Sequence, residues 1–360
     1  MATRRGFLAG LLASGAAPGL GWADVGGPTH LSAAKTPSGD FVLTGLRDDG
    51  SLAFQLPLPA RGHAAAAHPQ FAEAVAFARR PGTFAMVIDC ARGRVAHEIV
   101  APRGHHFYGH GAFSADGARL FTTENHIESG QGRIGIWSRQ GGYTRIGETS
   151  SGGIGPHELL RIPGTRTLAV ANGGILTRPE TGREKLNLHE MRPNLTCLSE
   201  DGEQISQWAL PPDLHHNSLR HIAAASDGTI ACAFQWQGDI YDAPPLLAQC
   251  STDSGLRLAS MPDSAMRNMA GYAGSVAVLG DNRIALSSPV GGVAQIFDSA
   301  GRFESEMKQA DLCGVAATAT GGLATDGLGG VHRIAGRLSL LARHDLAFDN
   351  HLVAIRDALG

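Results

Sequence analysis

Five histidines occupy the same place in what the sequence indicates is a repeated unit. Each begins a short strand-like segment that leads into a turn and further strand-like runs: His63, His110, His157, His221 and His351. The interval from His63 to His110 equals the interval from His110 to His157. Imidazole binds copper, iron, zinc and nickel, and it also exchanges protons near neutral pH. In a circular fold, equivalent positions would point several imidazoles at one axis, so the spacing predicts a metal or acid–base site.

Five imidazoles exceed what one zinc or copper ion needs. Either two or three of them bind the ion, with His110, His157 and His221 as the named ligands, or the bound object is larger than an ion. The structural alternative also stays open, in which each ring only hydrogen-bonds the backbone of a neighbouring repeat. No fixed-spacing metal motif such as HExxH decides between these interpretations.

Further polar residues near these histidines form a predicted supporting set: Arg103, His105, His106, Tyr108, Glu124, His126 and Arg220. If the segment RGHHFYGH is extended, alternate side chains up to His110 share one face, although its two glycines equally permit a loop. A carboxylate such as Glu124 could orient a ligating ring. Arg103 or Arg220 could hold an anion.

The elements that carry the histidines are short apolar, β-branched runs separated by Gly and Asp turns, in groups of four. A seventh group begins at His351 with room for one strand, and three strands precede His63: HLSAAKT, FVLTGL and LAFQLPL. If the C-terminal strand and the three N-terminal strands form one blade, the ring closes and its sheet edges are protected. The sequence therefore predicts an all-β, seven-bladed β-propeller over 24–360, whose last blade combines one C-terminal inner strand with three N-terminal strands. The histidines would line a contiguous arc, with Ser275 and Gly314 at the other two positions.

The first 23 residues match a twin-arginine signal peptide. Thr3-Arg4-Arg5-Gly6-Phe7-Leu8 precedes a small-residue apolar stretch, and Gly21-Trp22-Ala23 is a plausible cleavage site. We therefore expect a periplasmic protein without a stable membrane span, and a monomer. The formal net charge of −3 does not indicate a nucleic-acid partner. The five cysteines have no CxxC pair, which favours small buried side chains over a zinc ribbon. The polar insertion over 177–194 is expected to cap one mouth of the propeller.

Several long strings resemble the DUF1513 family of twin-arginine-exported bacterial proteins, a domain of unknown function. They include RGHHFYGHGAFSADGARLFTTEN, GGIGPHELL, LAVANGGILTRPETGREKLNLHEM, SLRHIA, GYAGSVA, DLCGVA and DNHL, and they span about residues 61 to 353. Arg178 stands where the family pattern has histidine, so that position is not an indispensable ligand. The resemblance implies a periplasmic propeller, and its association with imelysin-type iron-regulated proteins implies a role in iron or metal acquisition.

Three functions remain open at this point. The leading hypothesis is binding of a transition metal (iron, copper or zinc, with iron and copper foremost), or of a metal- or haem-bearing partner, at a histidine-lined channel mouth. The second is an enzyme, a lyase or hydrolase, acting on a small polar substrate in the same channel. The third is a protein-interaction scaffold, for which the histidines would be dispensable.

Overall fold

The computed structural model describes residues 20–78, 83–182 and 184–355, which form seven four-stranded antiparallel sheets. This confirms the predicted all-β, seven-bladed propeller. Arg4 and Arg5 of the predicted export motif lie outside the described residues. Helix is nearly absent from the described part: α1 (Asp263–Asn268) is accompanied by short 3-10 turns at Trp22–Val25, Pro179–Thr181, Leu188–Glu190, Pro212–Leu214 and Ile240–Asp242.

The strands follow one another blade by blade, from the inner strand to the outer. Blade 1 contains β4 (Gly62–Ala67), β5 (Glu73–Ala78), β6 (Phe84–Asp89) and β7 (Arg94–Val100); blade 2 contains β8 (His105–Phe113), β9 (Arg119–His126), β10 (Gly132–Ser138) and β11 (Thr144–Ser150). Blade 3 contains β12 (Pro156–Arg161), β13 (Thr167–Asn172), β14 (Asn194–Ser199) and β15 (Gln204–Trp208); blade 4 contains β16 (Asn217–Ala224), β17 (Ile230–Trp236), β18 (Leu247–Ser251) and β19 (Gly255–Leu258).

The remaining three blades complete the ring. Blade 5 contains β20 (Ser275–Val278), β21 (Ile284–Ser288), β22 (Val293–Phe297) and β23 (Phe303–Lys308); blade 6 contains β24 (Leu312–Thr318), β25 (Gly321–Asp326), β26 (Gly330–Ile334) and β27 (Leu338–Arg343). Blade 7 contains β28 (Ala347–Ala354) as its inner strand, followed by β1 (His30–Lys35), β2 (Phe41–Leu46) and β3 (Leu52–Leu58).

Blade 7 joins the two ends of the chain. β28 pairs antiparallel with β1, with His30 opposite Ala354 and Leu31 opposite Val353. The Ser32 hydroxyl also donates to the backbone oxygen of His351, at 2.8 Å. The predicted closure is therefore confirmed, and it places His351, from the far end of the chain, beside the first blade.

The hydrophobic core lies between adjacent blades rather than in one central mass. In blade 4 every residue of the inner strand β16 is buried, whereas the outermost strand β7 of blade 1 is largely exposed. All five cysteines are buried, as predicted, and all five are free thiols. Trp22 is also buried, and its Nε1 donates to the His68 backbone oxygen at 2.9 Å, although it precedes the predicted cleavage point after Ala23. The boundary at residue 23 stays a prediction. No helix among the described residues is long and apolar enough to span a membrane.

The closing strand should contribute strongly to stability. Leu352 in β28 is 6% exposed and Leu340 in β27 is 53% exposed. We expect Leu352→Ala to lower the free energy of unfolding by about 2–5 kcal/mol, because it leaves a cavity in a packed interface. Leu340→Ala is the matched control and should change it by less than about 0.5 kcal/mol. Urea unfolding followed by tryptophan fluorescence measures both, and equal midpoints would contradict the importance of the closure.

Candidate metal centre

Each of the five histidine-bearing inner strands changes register at or beside its histidine. The shifts fall at Gly62/Ala65 in β4, Phe107/Gly111 in β8, Pro156/Glu158 in β12, Leu219/His221 in β16 and, in β28, opposite Ser32/Ala34 of β1. Such β-bulges add unpaired residues, bend the strand and change the direction of its side chains. β24 has a similar shift around Gly314, whereas β20 pairs regularly at Ser275. The bulges therefore turn the five imidazoles into the channel.

Gly109 shows how closely the bulges and the imidazoles fit. It has a φ of +104°, and a Cβ atom at this position would lie 2.6 Å from Cδ2 of His63. Only glycine combines this backbone conformation with that contact at little cost. The bulge also interrupts the two-residue alternation expected along RGHHFYGH.

The five imidazoles meet at the centre of the channel. The ring of His63 lies 4.9 Å from that of His110 and 4.6 Å from that of His351, between ring centroids. The His157 and His221 rings are 5.0 Å apart, and the His221 and His351 rings are 4.9 Å apart. Because blades 5 and 6 separate the last pair along the ring of blades, the expected arc is in fact a cluster that closes across the axis.

Two groups of three nitrogen ligands share this cluster. His63, His110 and His157 form one group and His110, His221 and His351 the other, with the candidate ligand atoms of each group within 4.8 Å of one another. Nitrogens around a single ion bound at about 2 Å are roughly 3–4 Å apart, so each group needs only a small contraction to hold one. The three histidines that the sequence analysis named as ligands are divided between the groups: His157 is in one, His221 is in the other and His110 is in both.

Hydrogen bonds fix which nitrogen of two rings is available. Nδ1 of His157 donates to the backbone oxygen of Arg220, at 3.1 Å, because a carbonyl oxygen can only accept. Nδ1 of His221 donates to Oε2 of Glu158, at 3.0 Å. Both bonds leave Nε2 as the nitrogen with a lone pair for a ligand. A histidine held through its other nitrogen by a carbonyl or carboxylate is the usual arrangement for metal binding.

Glu158 is the functional candidate that sequence reasoning missed. Its Oε2 also accepts from the backbone N–H of Ile222, at 3.2 Å, and its Oε1 lies 3.8 Å from Nδ1 of His110. Burial raises the pKa of this carboxyl group to about 7, against a smaller lowering effect from His351. The bulge between Pro156 and Glu158 brings Glu158 into the channel beside His157, and period-two alternation would have turned it away.

The surroundings keep three of the five imidazoles neutral. Burial is the main cause that lowers the pKa values of His110 and His157 well below the usual range, and it lowers the pKa of His221 to about 3. The positive charge of Arg220 adds to the lowering at His157 and His221. Neutral imidazole is the form that binds a metal, so these rings need to release no proton before coordination.

The histidine cluster lies between two cavities. One, of about 240 Å³, is lined mainly by small apolar side chains of the inner strands, together with Glu158, His110 and His351. The other, of about 370 Å³, is polar and is here called the cationic cavity. Its lining consists of His63, Tyr108, His157, Ile175, Thr177, Lys185, Arg220, His221, Gln235, Trp236, Gln237, Ala270, Gly271, Tyr272, Val290, Asn350 and His351. Thr177 and Lys185 come from the insertion over 177–194, which therefore contributes to this cavity.

The predicted supporting residues divide between the cationic cavity and blade 2. Tyr108 and Arg220 line the cationic cavity. The His105 and His126 rings lie 5.0 Å apart at paired positions of β8 and β9, and Nδ1 of His126 bonds Ser129 at 2.8 Å.

Two more of the predicted supporting residues, His106 and Arg103, lie away from the channel centre. Nε2 of His106 bonds the Asn125 amide at 3.2 Å inside blade 2. Arg103 is exposed and lines neither of the two cavities.

A third group of metal-type ligands lies in blade 2 and is occupied by arginine. His105, Glu124 and Glu148 have ligand atoms within 4.8 Å of one another. However, Arg145 donates to Glu124 and to Glu148, each at 2.7 Å. Because the guanidinium already bonds both carboxylates, this group is an ion-pair network, and Glu124 does not support the histidine cluster.

Comparison with known proteins adds the family. A family model described as "Protein of unknown function (DUF1513)" matches residues 56–355. The chain belongs to this family. The family description assigns no reaction or ligand, and no curated protein matches the chain.

Among solved structures, the chain is similar to a chain of Kuenenia stuttgartiensis hydrazine synthase. The TM-score is 0.60 at 14% sequence identity, and the match covers 87% of this DUF1513 chain and 97% of the other. At that identity the likeness shows the propeller fold and nothing of the chemistry.

Replacing Gly109 tests whether the bulge positions His63. Gly109→Ala should destabilise the protein more than Gly104→Ala, which has a similar φ of +82° but has nothing within 4 Å of the added Cβ. Both variants carry a left-handed backbone cost of about 1–2 kcal/mol, and only Gly109→Ala also clashes with the His63 ring. Urea unfolding measures the difference, and an equal loss in the two variants would disprove the contact.

Proposed function

We propose that this protein is an exported, periplasmic propeller that binds a transition-metal ion at the histidine cluster. The observation that carries the proposal is the pair of nitrogen groups that share His110, with ligand atoms within 4.8 Å of one another. Export rests on the twin-arginine pattern over residues 3–8.

A purely structural role explains the cluster less well. Burying a polar nitrogen without a hydrogen bond costs free energy, and Nε2 of His110 is buried without a hydrogen-bond partner among the described residues. Apolar side chains could fill the same space without this cost. A bound metal ion would use Nε2 of His110 together with the available lone pair of His157 in one group or of His221 in the other.

The donor set narrows the choice of metal. Imidazole nitrogens suit copper, iron, zinc and nickel, and the Irving–Williams order gives copper(II) the highest affinity at such a site. We therefore propose copper or iron, with copper(II) binding most tightly in vitro. A role in iron acquisition, beside an imelysin-type periplasmic partner, follows from the family resemblance alone, and the relative affinity for iron tests it.

Metal titration of the His110→Ala variant tests the proposal. Dialysed wild-type protein should bind copper(II) below micromolar concentration by isothermal titration calorimetry. His110→Ala removes a ligand from both groups, so its affinity should fall more than the roughly 10- to 100-fold typical of losing an outer partner.

His189→Ala, at an exposed position of the insertion, is the matched control and should bind like wild type. Circular dichroism confirms that both variants are folded. Wild-type protein that binds none of copper, iron or zinc below micromolar concentration would refute the proposal.

Glu158 should act on the metal through His221. Glu158→Gln keeps the side-chain shape and removes the carboxylate that holds the His221 ring, so at pH 8, above the carboxyl pKa of about 7, copper affinity should fall by about 10- to 100-fold. Glu190→Gln, at an exposed position, is the control. Copper titration measures both, and unchanged affinity in Glu158→Gln would mean that the carboxylate does not orient the ligand.

A further inference from the structure

We infer that the cationic cavity binds a small hydroxycarboxylate anion directly beside the metal position. The contact between this anion and the metal rests on the proposed function. The contacts of the anion with Arg220, Lys185 and Gln237 depend only on the cavity.

The charge of the cavity selects an anion. Arg220 and Lys185 both line it, and the lining contains no Asp or Glu among the described residues. Arg220 is only 6% exposed. Partial burial, and then the charge of Arg220, lower the pKa of Lys185. A metal ion in the cluster would add further positive charge to a poorly solvated space. An anion with two or more negative charges offsets this repulsion.

Hydrogen bonds hold the backbone of the insertion next to Lys185. The side chain of Asn187 accepts from the backbone N–H of Leu176, at 2.7 Å, and donates to the backbone oxygen of Gly174, at 2.9 Å. The backbone N–H of Leu186 bonds the oxygen of Leu176, at 3.0 Å. These bonds fix the backbone on the C-terminal side of Lys185, from which its exposed side chain lines the cavity.

The size of the cavity favours an organic anion over a single inorganic one. Its volume of about 370 Å³ falls at the lower end of the roughly 300–1,000 Å³ of small-molecule sites. Trp236 and Tyr272 give it aromatic walls. A polycarboxylate can place one carboxylate at Arg220 and Lys185 and another at the metal.

Gln237 indicates that the anion also carries a hydroxyl group. Nε2 of Gln237 donates to the backbone oxygen of Gln235, at 2.8 Å, which fixes the orientation of the amide. Oε1 is then a buried acceptor, without a hydrogen-bond partner among the described residues. A carboxylate oxygen cannot satisfy it because both groups only accept. A ligand hydroxyl can donate to it.

Calorimetric titration with three anions tests this inference on both metal-free and copper-loaded full-length protein. The anions are citrate, tricarballylate (which is citrate without its hydroxyl group) and inorganic phosphate, with chloride as background, and copper retention is checked by elemental analysis. Citrate should bind both forms, at least tenfold more tightly when copper is present. Tricarballylate should bind about 2- to 10-fold more weakly than citrate, which is the effect of one hydrogen bond.

Lys185→Gln locates the site. This variant should weaken citrate binding at least tenfold without weakening copper binding, because it removes a positive charge. Lys308→Gln, at an exposed lysine at the end of β23, should change neither. Unchanged citrate binding in Lys185→Gln would overturn the assignment to this cavity.

The remaining outcomes separate this inference from the proposed function. Copper binding without citrate binding would overturn the inference and leave the metal site intact. Lys185-dependent citrate binding without any metal binding would refute the metal site and support the anion site. Phosphate binding as tight as citrate binding would overturn the assignment of a carboxylate ligand.

Discussion

The contact of five imidazoles on the propeller axis is the interaction on which the rest of the site depends. Seven inner strands converge there, and five of them carry a histidine turned inward by a change of register. Gly109 and Gly314 supply room that any larger residue would remove: a Cβ on Gly314 would lie 2.6 Å from the backbone nitrogen of Leu352. The inner strands therefore place five polar rings close together on the axis.

Burial then determines the chemistry of the cluster. Desolvation favours the neutral imidazole, and the hydrogen bonds of His157 and His221 leave their Nε2 atoms available. The same desolvation raises the pKa of the Glu158 carboxyl group, which bonds His221. A site with neutral nitrogens, one nearby carboxyl group and a cationic cavity on one side suits a metal cation accompanied by an anion.

The sequence predicted the fold more completely than the site. The blade count follows from the number of strand-like runs and the glycine turns between them. The closure follows because the last blade has one strand at the C-terminal end of the chain and three at the N-terminal end. Period-two alternation fails at bulges, where one or two extra residues change which side chains face the channel. Glu158 was missed for this reason, and the five histidines form a cluster rather than an arc. The insertion over 177–194 was expected to cap one mouth, and its Lys185 does line the cationic cavity. The sequence could not show which side chains of the insertion would do so, because no local pattern indicates where a long insertion folds back.

X-ray absorption at the copper edge of the copper-loaded protein tests the central claim most directly. The account predicts at least three nitrogen ligands at about 2.0 Å, with the multiple-scattering pattern of imidazole. A first shell made of oxygen, or one with fewer than two imidazoles, would contradict a metal site at the histidine cluster.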